Sequence, residues 1–160
     1  MKSDFNKSFT EKYKLTEEQI KQIEAVLEKD LTGIGIHAVL LADKAGNIVA
    51  KHDEECRYDL YSLAALGSAN CVTTDILART IGEKEFPVYF FQGKNSSTHF
   101  SRVDDELLLI AVSDGKAPTG ILRMKIAEAV GKVRAASDSL REAFLRLSFP
   151  VNFAGEAGCL

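Results

Sequence analysis

The sequence has no apolar run approaching the roughly 18 residues that a membrane-crossing helix needs. Its opening, MKSDFNKSFTEKYK, lacks the apolar core of a signal peptide. Basic charge is not in excess: 20 Lys and Arg stand against 23 Asp and Glu, a net charge of −3. A nucleic-acid partner, which usually leaves a basic footprint, is not expected, and neither is a membrane partner. Cysteine is sparse, odd in number and dispersed (Cys56, Cys71, Cys159), so no disulfide framework is expected and a reducing cytoplasm fits. Cys159 lies second from the end of the sequence, whereas a prenylation box places cysteine fourth from the end.

Catalytic patterns are missing as well. DGKAPTG at 114–120 holds a Gly-Lys pair but lacks the earlier glycine and the following Ser or Thr of a phosphate loop. GIG at 33–35 precedes a strand pattern and opens no helix, so it is no dinucleotide fingerprint. His37, His52 and His99 are scattered without metal-ligand spacing. The densest polar cluster, His52 to Cys56, reads as a solvated loop, with a weak metal site as the alternative. Cys71 sits among small residues and reads as a packed thiol. Arg57 reads as a surface arginine, with an arginine finger acting in trans as the alternative. No catalytic residue, cofactor or metal is expected, and the protein is not expected to be an enzyme.

What is present is a soluble, globular pattern. With 160 residues and 46% hydrophobic residues the chain can bury a core of one domain with extensions. Residues 1–15 are polar and aperiodic, as in a mobile arm. Thr16 opens TEEQ, a capping box in which Gln19 reaches back to the cap. Ile20, Ile23, Val26, Leu27 and Leu31 then recur at helical spacing up to about Gly33. IGIHAVLLA at 34–42 and IVAKH at 48–52, joined by DKAGN, read as a β-hairpin whose first strand is covered on both faces.

The next stretch, Asp59 to Ile81, reads DLYSLAALGSANCVTTDILARTI, a helix of about six turns. On a helical wheel Leu63, Leu66, Leu77 and Ile81 share one side, which is assigned to a sheet. The opposite side carries Tyr61, Ala64, Ala65, Ser68, Val72, Asp75, Ile76 and Arg79, only two of them charged. A surface helix should be polar there. The second cover comes either from the same domain or from another molecule, and the residues alone leave both open.

After Gly82 come FPVYFFQ at 86–92, STHFSRV at 97–103 and ELLLIAVS at 106–113, three strands joined by short turns in an antiparallel meander. Pro87 cannot donate to a ladder, which predicts that 86–92 is an edge strand. An edge bearing Phe86, Val88, Tyr89, Phe90 and Phe91 is an aggregation hazard unless something pairs with it. A last helix starts near Pro118. Its length of about 45 Å implies either an overhang beyond the sheet or a bend at Gly131. Pro150 ends it, and VNFAGEAGCL follows.

The order helix, hairpin, long helix, meander, helix resembles the roadblock / dynein light chain family, in particular its bacterial regulators of small GTPases. The resemblance rests on GIHAVLLADKAGNIVAKH at 35–52, the small-residue helix at 59–82 and ELLLIAVSDGKAPTGILRMKI at 106–126. It covers residues 16–136 as a roadblock-type domain, with 137–160 as a helix extension and tail. It implies an α/β fold of the α+β type: a five-stranded antiparallel sheet ordered 2-1-5-4-3, with the long helix on one face and the two terminal helices on the other. It further implies a homodimer in which the edge strands pair through Phe86, Val88, Tyr89, Phe90 and Phe91. The paired long helices would then dock a small Ras-like GTPase through Tyr61, Ala64, Ala65, Ser68, Val72, Asp75, Ile76 and Arg79. Two other readings remain beside it: a structural adaptor with no effect on GTP hydrolysis, and a ligand-sensing module built around an internal pocket.

Overall fold

A computed structural model of the chain describes residues 15–148. Leu15, assigned to the arm at 1–15, is buried in the core. Residues 1–14 of that arm and the tail from 149 lie outside the described residues. So do the side chains of Leu140, Phe144 and Leu147, which continue the helical spacing of the last helix. Three helices and five strands follow one another: α1 (Glu17–Leu31), β1 (Ile36–Asp43), β2 (Ile48–Asp53), α2 (Leu60–Thr80), β3 (Val88–Gln92), β4 (Ser97–Arg102), β5 (Leu107–Ser113) and α3 (Thr119–Ser148).

Local chemistry sets these boundaries. Thr16 caps α1 in the expected box: its N–H donates to Gln19 Oε1 at 2.9 Å, and the Gln19 N–H donates back to Thr16 Oγ1 at 3.3 Å. The β1–β2 turn is held by the Asp43 carboxylate, which accepts from the Asn47 N–H at 2.8 Å and from the Asn47 amide at 2.9 Å. At the end of α2 the Glu83 and Gly82 N–H groups donate to the Ala78 and Arg79 carbonyls, with Gly82 at φ +85°. That is a Schellman cap, which satisfies carbonyls the helix itself leaves without a donor. α3 runs unbroken through Gly131, so of the two alternatives for its excess length the bend is not taken.

The strands form one antiparallel sheet in the order β2-β1-β5-β4-β3, as expected. β1 and β5 are central and buried along nearly their whole length, hence their almost continuous apolar sequence. One face of the sheet carries α1 and α3. Ile23, Leu27 and Leu31 of α1 and Leu122, Ile126 and Val133 of α3 close over strand residues that include Val39, Leu41 and Leu109. Among the described residues the other face carries α2 alone, over Ala38, Leu40, Leu108 and Ile110.

The phase of α2 differs from the sequence expectation. Leu66, Leu77 and Ile81 do not lie on the sheet; they are exposed, and Leu63 is half-buried. The sheet-facing stripe consists of Leu60, Ala64, Gly67, Ser68, Cys71 and Ala78. Ala64 and Ser68, assigned outward, are therefore inside. The reason is close approach. A Cβ built on Gly67 would come within 2.5 Å of Ile110 Cδ1 and 3.1 Å of Phe100 Cε1. Small side chains let the helix sink onto the sheet, and the large ones are left outside.

Candidate interaction surface

α2 is positioned by its ends and by two side-chain links along its length. At its start the Asp59 carboxylate accepts from the Ser62 N–H at 3.2 Å and from the Ser62 hydroxyl at 2.5 Å, and these bonds hold Asp59 below its ordinary pKa. In the middle, the buried Ser68 hydroxyl donates to the Asp43 carbonyl at 2.7 Å. Further along, Arg102 of β4 pairs with Asp75, and its guanidinium lies 3.6 Å from the Glu85 carboxylate. The Arg102 side chain is almost fully enclosed, and desolvation is the largest influence on it; the neighbouring Cys71, Asp75 and Glu85 together outweigh that effect and raise its pKa.

With the helix so anchored, its outward face is composed of Ser62, Ala65, Leu66, Ala69, Val72, Thr73, Ile76, Leu77 and Thr80. None of these carries a charge. Leu66 is 69% exposed, Ile76 60% and Val72 56%. Charges appear only at the margins: Arg79 is exposed, and Lys51 places its ammonium 5.2 Å from the centre of the Tyr61 ring. Six of the ten large hydrophobic residues exposed among the described residues belong to Tyr61–Ile81, and two more, Val88 and Phe91, lie on β3. Scattered apolar residues need no explanation, but a concentration of this kind marks a surface built to be covered.

β3 closes the sheet on one side and pairs only with β4 among the described strands. Its aromatic residues divide into two groups. Tyr89 stacks on Phe100 at 4.8 Å between ring centres, and Phe90 meets His99 at 4.7 Å. These two rings are half-buried in this chain's own packing, as is Phe86. Burial raises the Tyr89 phenol's pKa well above its ordinary value. Val88 and Phe91 remain exposed, together with the outer backbone edge of the strand.

Of the eight helix residues assigned to partner binding, the structure places Tyr61, Ala65, Val72, Ile76 and Arg79 on the outside. It puts Ala64 and Ser68 against the sheet and ties Asp75 to Arg102. Sequence reasoning missed Leu66, Ala69 and Leu77 as outward residues. The signal was there: the run of small residues at 64, 67, 68, 71 and 78 follows helical spacing as faithfully as the leucines do. Arg57 is exposed and paired with Glu55. Among the described residues no group of three or more His, Cys, Asp or Glu is placed to hold a metal, and no helix is long and apolar enough to cross a membrane.

A five-stranded sheet in this order, with one helix on one face and two on the other, has the fold of a roadblock-type domain. Within that class the chain resembles MglB. It is 28% identical to Myxococcus xanthus MglB, with a TM-score of 0.73 over 79% of this chain and 95% of that one. An MglB with a tetrameric arrangement gives 25% identity and a TM-score of 0.74, again over 79% and 95%. The Roadblock/LC7 domain from Streptomyces avermitilis shares the fold alone, at 15% identity and a TM-score of 0.60 over 70% of this chain and 94% of that one. No family model and no curated protein sequence matches the chain.

Proposed function

We propose that this protein is a cytoplasmic, non-catalytic platform that forms a homodimer, binds a small Ras-like GTPase and modulates its nucleotide cycle. The observation that carries the reading is the charge-free outward face of α2, with the open edge of β3 following it in the chain. Edge pairing of β3 with its counterpart in a second copy removes the unpaired strand edge. It also brings two α2 helices to the same face of a continuous ten-stranded sheet. Part of each apolar stripe is then covered by the twin, and the remainder is presented to the GTPase. Resemblance to MglB supports the regulator role, and the tetrameric arrangement of one MglB supports self-association.

The protein contributes surface and not a reacting group in this reading. Stimulation of hydrolysis then comes from holding the GTPase in its competent shape, a shift of population set by differential affinity for the two nucleotide states. The test is GTP hydrolysis and nucleotide exchange by candidate Ras-like GTPases with and without the protein, together with its mass in solution. A dimeric mass and nucleotide-dependent binding support the proposal. Monomeric behaviour at high concentration, or no effect on hydrolysis, exchange or complex formation, overturns it. Binding indifferent to GDP or GTP assigns the same surface to scaffolding.

A further inference from the structure

A recess lies on the opposite side of the sheet from α2. A groove of about 350 Å³ lies between α3 and strands β3 and β4, within the size range of small-molecule sites. Val88, Ile126 and Val130 give it apolar walls. His99 lies in its lining, only 2% exposed, and the ring Nε2 has no hydrogen-bond partner among the described residues. A buried polar atom without a partner costs free energy, so its place beside an open groove calls for a reason.

The charge of the groove supplies one. Arg102, Arg123 and Arg134 line it, and among the described residues no acidic side chain does, in a protein whose net charge is −3. Arg102 is neutralised by Asp75 and Glu85. Arg134 is anchored by donating its Nε–H to the Val103 carbonyl at 2.6 Å, a neutral partner that leaves its charge uncompensated. Arg123 is exposed and has no ion-pair partner among the described residues, and its charge, after burial, is the second influence lowering the pKa of His99. The groove thus combines an apolar wall, two uncompensated guanidinium groups and an unsatisfied imidazole nitrogen.

The geometry points to a binding site for a small amphipathic monocarboxylate in the groove between α3 and β3–β4. Its carboxylate would pair with Arg123 beside His99, and its hydrocarbon body would lie along Val88, Ile126 and Val130. Because the groove faces away from α2, an occupant does not compete for the surface assigned to the GTPase.

Gly131 provides a clean probe. It lines the groove, and a Cβ built on it meets nothing within 4 Å, so a larger side chain enters the recess without disturbing the core. Titration of the full-length protein with octanoate, followed by calorimetry and by the His99 ring signals in NMR, tests the site. Saturable binding of octanoate is expected, tighter than that of octanamide by about tenfold, the scale of one charge-assisted hydrogen bond, and tighter than that of acetate, which lacks the hydrocarbon body. R123Q is expected to weaken it about tenfold, and G131L to abolish it with the thermal midpoint retained. On binding, the His99 pKa should rise, because the anion offsets the field of Arg123. Absence of saturable binding at millimolar octanoate overturns the site, as does octanamide binding equally well. Unchanged affinity in R123Q also overturns it, and that arm stands even if G131L fails to fold.

Discussion

Arg102, at the end of β4, reaches across to the Asp75 carboxylate on α2, and this ion pair joins the lone helix of one face to the strand next to the sheet edge. The partners are enclosed unequally: the Arg102 side chain is 7% exposed and that of Asp75 22%. Removing the carboxylate leaves a guanidinium enclosed with only Glu85 to balance it, whereas removing the guanidinium leaves a carboxylate that water can reach. Asp75→Ala should therefore cost about 3 kcal/mol, the usual scale for breaking a buried pair from one side. Arg102→Met, which keeps the apolar stem, should cost clearly less. Urea unfolding of both variants checks the order, and equal losses would show that the pair is not asymmetric.

Two helical glycines should answer oppositely to substitution. At Gly67 a larger side chain must displace Ile110 and Phe100 from the close helix–sheet contact, so Gly67→Val is expected to destabilise by about 2 kcal/mol through overpacking. At Gly131 no atom stands within 4 Å of a new Cβ, so Gly131→Ala should stabilise by about 1 kcal/mol, the propensity difference in a helix interior. Thermal melts of the two variants decide it.

The same contrast explains how far the fold could be read from the chain. α1 was legible because Ile23, Leu27 and Leu31 bury large side chains at helical spacing, and hydrophobicity and packing there agree. The strands were legible as apolar segments bounded by turns, with ends within a residue or two of those observed; their order came from the resemblance. The phase of α2 was not legible from hydrophobicity. A helix that must approach a sheet closely uses Ala64, Gly67 and Ser68 at the contact, and its leucines are left for another surface. Ranking residues by apolarity then inverts inside and outside. The Arg102–Asp75 link was invisible for a different reason: 27 residues separate the partners, and only the strand order brings them together.

Val72 and Ile76 test the outward face directly. Both are exposed and contribute little to the packing of α2, so Val72→Glu or Ile76→Glu should change the stability of the isolated fold by no more than about 0.5 kcal/mol. Each places a charge in a stripe that has none, and the proposal requires loss of self-association or of GTPase binding. Circular dichroism at low concentration reads the stability, and sedimentation velocity with a GTPase pull-down reads the association. Unchanged mass together with unchanged binding would show that the stripe is not the contact.

His99 sets a pH dependence of known sign. Burial, and after it the positive charge of Arg123, holds its folded-state pKa below the ordinary value of 6.5. Between the unfolded and the folded pKa the unfolded chain binds a proton that the native chain refuses. Stability should therefore be constant with respect to this residue above about pH 7 and fall as the pH drops through 6.5, levelling again below the folded pKa. The phenyl ring of His99→Phe fills similar space without a proton to bind, so this variant should lose that part of the slope. Denaturation midpoints from pH 7.5 to 5 for both proteins measure it. A wild-type curve that stays parallel to that of His99→Phe throughout would mean that the folded-state pKa of His99 equals its unfolded value, and would overturn the prediction.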